Sequence, residues 1–127
     1  MIRNLLVAAG ALLVCVTLVP TRADAEVRFG PSADVAAVAA LATKGMSGSY
    51  TVGPVVVVGS AAFAEVYSEA SAEFFAKKIN GKWKIVETNG GAGTAAIYAK
   101  FTHGALTAAQ ICALGHHMPQ GPITDCH

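Results

Sequence analysis

Hydrophobic and polar positions in this chain follow two rhythms, one helical and one extended, after an opening run that shows neither. That opening run, residues 5–19, is continuously apolar. Beyond it, Val35, Val38, Ala39 and Ala42 recur at helical spacing. Ser32 precedes them as a helix-starting residue, Asp34 sits in the first turn, and Lys44 and Gly45 supply a cationic last turn and a stop. The pattern predicts a helix over residues 33–44. Residues 46–49 then form a polar connector, and residues 50–58 read as extended chain interrupted at Gly53-Pro54. The consecutive Val55, Val56, Val57 and Val58 favour a strand, with Pro54 at its start and Gly59-Ser60 turning the chain.

Residues 61–79 admit two readings. As a helix, Phe63, Val66, Tyr67, Ala70 and Phe74 line one face, and Glu65, Glu69, Glu73 and Lys77 form a row four apart on another. As two strands, residues 62–67 and 72–79 flank a polar turn at residues 68–71. The downstream Asn80-Gly81 favours the strands, because a two-residue hairpin turn wants positive φ at both positions. Such a turn pairs Ile79 with Lys82 and Lys78 with Trp83, and gathers Phe74, Ala76, Trp83 and Ile85 on one face. Asn-Gly can also end a helix, so that alternative stays open.

A glycine-rich loop follows at residues 88–94, and residues 95–101 fit a short helix or a strand equally well. The next element is better marked. Thr107 with Gln110 forms a capping box, and Leu106 with Ile111 forms a hydrophobic staple, so a helix is predicted over residues 108–114 with Gly115 ending it.

The opening run acquires a meaning from its flanks. Arg3 precedes it, Pro20-Thr21-Arg22 breaks it, and Ala23-Asp24-Ala25 has the small-x-small form read by signal peptidases. Residues 1–25 are therefore expected to be a cleaved signal peptide, with the cut before Glu26. The run is shorter than the roughly 20 residues a membrane span needs. Of nine basic and eight acidic residues, Arg3, Arg22 and Asp24 leave with the leader, so seven of each remain. A neutral domain offers no electrostatic argument for nucleic acid or anionic lipid. Cys15 leaves too, which strands Cys112 and Cys126 as a pair in an oxidising compartment, where a disulfide is the expected outcome.

Residues 55–119 resemble a group of small exported bacterial proteins of unknown function. The likeness rests on Val55-Val56-Val57-Val58-Gly59, on Phe63-Ala64-Glu65-Val66-Tyr67, and on Lys77-Lys78-Ile79-Asn80-Gly81-Lys82-Trp83. Gly90-Gly91-Ala92-Gly93 and the short helix ending at Gly115 continue it. The resemblance implies an antiparallel sheet. It carries no catalytic residues and does not extend to the tail.

Several residue groups invite a chemical reading. Gly91-Ala92-Gly93-Thr94-Ala95-Ala96 has the form of a dinucleotide fingerprint, but it leaves a hairpin strand and no second parallel strand follows. A flexible loop explains it. The four histidines all lie at or after residue 103. His103, His116, His117, Met118 and His127 offer a soft donor set for copper or zinc, and Cys112 and Cys126 could join it as thiolates were they not paired. Glu65, Glu69 and Glu73 are read as a solvated face rather than acid–base partners. Trp83 between Lys82 and Lys84 is read as a core aromatic between two solvent-facing charges rather than a stacking platform. No nucleophile signature surrounds any serine.

These features predict one α+β domain at residues 26–127. An N-terminal helix packs on a small antiparallel sheet of about four strands. A short C-terminal helix follows, and an irregular tail, residues 116–127, is tied back by a Cys112–Cys126 disulfide. Export, neutral charge and the lack of a catalytic set point to a periplasmic or secreted, non-enzymatic binding or accessory protein of the bacterial cell envelope. Its partner would be an envelope protein or a small ligand, with no nucleic acid, no resident cofactor and no stable membrane insertion after cleavage. The alternative is a periplasmic copper- or zinc-binding protein built on the C-terminal His/Met/Cys cluster.

Overall fold

The structure, a computed structural model, describes residues 27–89, 93–119, 123 and 125–126. The expected leader and its cleavage site, the glycines before Gly93, and His127 lie outside the described residues. In chain order the elements are β1 (Arg28–Phe29), α1 (Ser32–Ala42), β2 (Thr51–Val58), β3 (Ala61–Tyr67), β4 (Ser71–Ile79), β5 (Lys82–Asn89), α2 (Ala95–Phe101) and α3 (Ala108–Gly115). The fold is α+β, as the sequence predicts. Among the described residues, no helix is long and apolar enough to cross a membrane.

Residues 61–79 are two strands, and the hairpin register is the one read from Asn80-Gly81, with Ile79 opposite Lys82 and Lys78 opposite Trp83. Asn80 and Gly81 have φ values of 52° and 80°, the left-handed pair that closes a two-residue turn. The helical row of glutamates therefore does not form. Glu69 lies exposed in the β3–β4 turn, while Glu65 and Glu73 face each other across the two strands.

Among the described residues the sheet has five strands in the order β1-β2-β3-β4-β5, close to the four or so expected. The added β1 runs parallel to β2, so the sheet is mixed rather than wholly antiparallel. Only two residues make up β1, too few to show any alternation in the sequence. It is held by the Val55 amide donating to the Val27 carbonyl at 3.1 Å and by the Arg28 guanidinium donating to the Gly53 carbonyl at 2.7 Å. β2 starts at Thr51 rather than after Pro54, because the Gly53-Pro54 interruption is accommodated as a bulge between Val52 and Val55. A bulge is where an interior strand tolerates a residue without an N–H. Gly53 is required there: a Cβ would stand 2.8 Å from the Tyr67 ring. A second bulge leaves Val86 of β5 without a partner opposite, between the Phe75 and Ala76 registers.

Both faces of the sheet are covered, which explains why the valine run lacks alternation. Val55 and Val57 point to α1 and pack with Val38, Ala42, Ala62, Ala64, Val66 and Ala76. Val56 points the other way, with Phe63 and Phe75, into a core shared with Tyr98, Leu106, Ile111 and Leu114. Phe75 lies against Phe63 and Tyr98, with ring centroids 5.4 and 5.1 Å apart. α1 begins at Ser32, with Pro31 before it and no side-chain cap, and ends at Ala42, two residues earlier than Lys44 suggested. α3 has the expected capping box at Thr107 and Gln110. Residues 95–101 are a helix, α2, capped by Thr94. The Cys112–Cys126 disulfide is present and ties the tail to α3.

Candidate functional site

Trp83 lines an open groove between α1 and the β4–β5 hairpin. Ala37, Ala40, Leu41, Thr43 and Lys44 form one side, and Gly81, Lys82 and Trp83 form the other, with about 580 Å³ between them that is largely open to solvent. That volume lies within the few hundred to about 1,000 Å³ typical of small-ligand sites. The helix side is apolar at Ala37, Ala40 and Leu41 and polar where Thr43 and Lys44 follow the end of α1. The hairpin side is polar at its tip, where Lys82 leaves the turn.

The indole is fixed from behind. Its Nε1 donates to Asp34 Oδ1 at 3.0 Å, and the Lys78 ammonium donates to the same oxygen at 3.0 Å. The ammonium also sits 5.9 Å from the Trp83 ring centroid. Asp34 thus does more than complement the start of α1: it joins the helix to both strands of the hairpin. These hydrogen bonds from Trp83 and Lys78 hold its carboxyl below the usual aspartate value of 3.8. Reading Trp83 as a core aromatic is half right. Its ring packs against the α1-side core cluster with Phe74, yet it also lines the open groove. Ile85, expected on the same buried face, is 38% exposed.

A second group of polar side chains lies where β3 and β4 near their shared turn. Glu65 and Glu73 are direct cross-strand partners, and the Tyr67 hydroxyl donates to Glu65 Oε1 at 3.2 Å. Glu73 is half-buried, and its Oε1 is buried with no hydrogen-bond partner among the described residues. Burial first, and then the neighbouring Glu65 charge, push the Glu73 carboxyl up to about 7. The sequence assigns this pair to a solvated face. The available signal was that Glu73 shares strand parity with the core residue Phe75.

Among the described residues, the C-terminal histidines are spread over separate parts of the fold. His103 occupies a left-handed turn before α3, with φ of 57°, and His116 caps the other end of that helix. Eight residues separate those ends by about 12 Å. His117 is turned toward β1, where its ring stacks on Phe29 at 3.6 Å between centroids. Met118 is buried in the core cluster with Leu114 and Ile123. His127 lies outside the described residues. The groups brought together here are Cys112, Cys126 and Asp125, whose donor atoms all lie within 4.8 Å of one another. Asp125 also accepts from the Ala95 amide at 2.7 Å, capping α2 from across the chain.

No family model, curated protein or solved structure matches this chain.

Proposed function

We propose that this chain is an exported, non-enzymatic binding module of the bacterial cell envelope, and that its ligand seat is the groove between α1 and the β4–β5 hairpin. The observation that carries the reading is the indole of Trp83, held in place by Asp34 and exposed to a groove of ligand size. An aromatic ring fixed before binding loses little freedom when a ligand covers it. Lys44 and Lys82 line the same groove as Leu41 and the alanines. An apolar seat beside two ammonium groups suits a small amphipathic anion, such as a fatty carboxylate. The leader pattern of residues 1–25 and the Cys112–Cys126 disulfide support an oxidising, exported setting. The Asn-Gly–Lys-Trp hairpin that carries the resemblance to small exported proteins forms one side of the groove.

Trp83 is the single tryptophan of the chain, so its emission reports on this groove alone. The test is a titration with decanoate below its micelle concentration, run in parallel with decanol. The reading expects a saturable emission change with decanoate, weaker with decanol and weakened in the Lys44→Ala/Lys82→Ala variant. Emission indifferent to decanoate, or a response that ignores both the carboxylate and the two lysines, overturns it.

A further inference from the structure

We propose that the dithiol form of Cys112 and Cys126, together with Asp125, is a binding site for a thiophilic divalent cation of the zinc class, closed by the disulfide and opened by its reduction. This donor set keeps the two cysteines of the His/Met/Cys cluster read from the sequence, replaces its histidines and methionine with Asp125, and is independent of the Trp83 groove. Two observations place it. The two sulfurs and a carboxylate oxygen lie within 4.8 Å of one another. A tetrahedral ion with Zn–S bonds of about 2.3 Å holds its sulfurs about 3.8 Å apart, so the two sulfurs, once their bond is opened, need only move apart to that spacing beside the carboxylate. The carboxylate is also oriented in advance, because its Oδ1 accepts from the Ala95 amide at 2.7 Å. A hydrogen bond to a ligating carboxylate is the outer support that metal sites use to fix their ligands.

Asp125 is exposed, whereas Cys112 and Cys126 are partly buried against the core that holds Ile111 and Leu114. The cation would therefore sit at the surface on a fixed base, with a fourth position for water. Opening the site is a two-electron exchange. A dithiol reductant passes two electrons and two protons to the Cys112–Cys126 bond, which breaks to two thiols while the reductant closes to its own disulfide. The cation then replaces the two thiol protons, which leave to solvent, and two thiolates and one carboxylate hold it. The oxidised protein has no thiolate to offer. Oxidation state and metal occupancy thus exclude each other at this position.

The experiment uses cobalt(II) as the probe, because thiolate-to-cobalt charge transfer gives a near-ultraviolet band that oxygen and nitrogen ligands do not. The protein is compared oxidised, and after phosphine reduction and desalting without oxygen. The proposal expects a one-to-one band in the reduced protein, none in the oxidised protein, and displacement of the cobalt by zinc. Asp125→Asn keeps both cysteines and should weaken cobalt binding about 10-fold or more. Circular dichroism on each sample shows whether the fold persists. A folded reduced protein without the band, or an Asp125→Asn variant that binds cobalt as tightly as the parent, overturns the proposal.

Discussion

Asp34 and Trp83 are 49 residues apart in sequence, yet a 3.0 Å hydrogen bond joins the helix carboxylate to the indole N–H. Lys78 shares the same oxygen, so one atom of α1 anchors both strands of the hairpin. Replacing Asp34 with Ala should release the indole and shift tryptophan emission to longer wavelength. It should also lower the thermal midpoint. The sign with pH follows from the lowered carboxyl. A depressed folded-state value means the contribution is present above the ordinary value of 3.8 and is lost as the pH falls through the folded value. Parent and Asp34→Ala should therefore converge in midpoint in strong acid, which thermal melts across pH would show.

Glu73 has the opposite sign. Its folded-state value of about 7 lies above the ordinary 4.5, so the folded protein holds a proton that the unfolded chain gives up. Stability from this group is fully present below pH 4.5 and is lost as the pH rises toward about 7. Glu73→Gln keeps the shape and cannot ionise. It should raise the midpoint at pH 8, leave it near the parent at pH 4, and flatten the slope between them. A parent melt that is level from pH 4 to pH 8 would contradict the assignment.

The Cys112–Cys126 disulfide closes a loop with a sequence separation of 14 residues. A loop of that size stabilises by about 3 kcal/mol in the chain-entropy account. The Cys112→Ala/Cys126→Ala double variant should unfold at lower denaturant, with the slope of the transition changed because the unfolded chain is less constrained. Free-thiol labelling of the denatured parent should find no reactive thiol at these two positions.

Phe75 is fully buried between Phe63 and Tyr98. Phe75→Ala should cost roughly 3–5 kcal/mol by leaving a cavity between the sheet and α2. Thr107→Ala offers a milder comparison. It removes the cap on the Gln110 amide, which it accepts at 3.1 Å, and should cost about 1 kcal/mol. Chemical denaturation of the two variants side by side checks both the size and the order of these effects.

The elements that were legible in the sequence are those whose signals are local. Asn80-Gly81 set a register that needed no tertiary information, and Thr107 with Gln110 marked the start of α3. Counting cysteines was enough for the disulfide. What escaped was set by distant neighbours. Ala61, Ala62 and Ala64 kept a helix open beside the favoured strand, and only the packing of β3 closes it, where their small size lets helices lie close on both faces of the sheet. α2 was undecided because its apolar residues point both ways: Tyr98 is buried, while Ile97 and Phe101 are more than two-fifths exposed. β1 is too short to carry a pattern.

The candidate sites divide in the same way. Trp83 and its pairing with Lys78 could be read, but Asp34 looked like an ordinary first-turn acid until α1 was laid across the hairpin. Asp125 carried no signal of its own. Its role comes from the chain returning to the start of α2, which no spacing in a single segment reveals. The histidines made the opposite impression: closeness in sequence suggested a cluster, whereas among the described residues His103 precedes α3, His116 follows it and the His117 ring turns to Phe29.

The bulge at Val86 has a consequence for how copies of this molecule meet. β5 is the outer strand of the sheet among the described residues, eight residues long and open along one side. A straight edge of that length would invite a second chain to lengthen the sheet. The extra residue twists the strand in its middle, and the exposed Lys82 and Lys84 set like charges where an incoming copy would align. A single unpaired valine thus makes this edge, among the described residues, a poorer template for a further strand than a flat one would be.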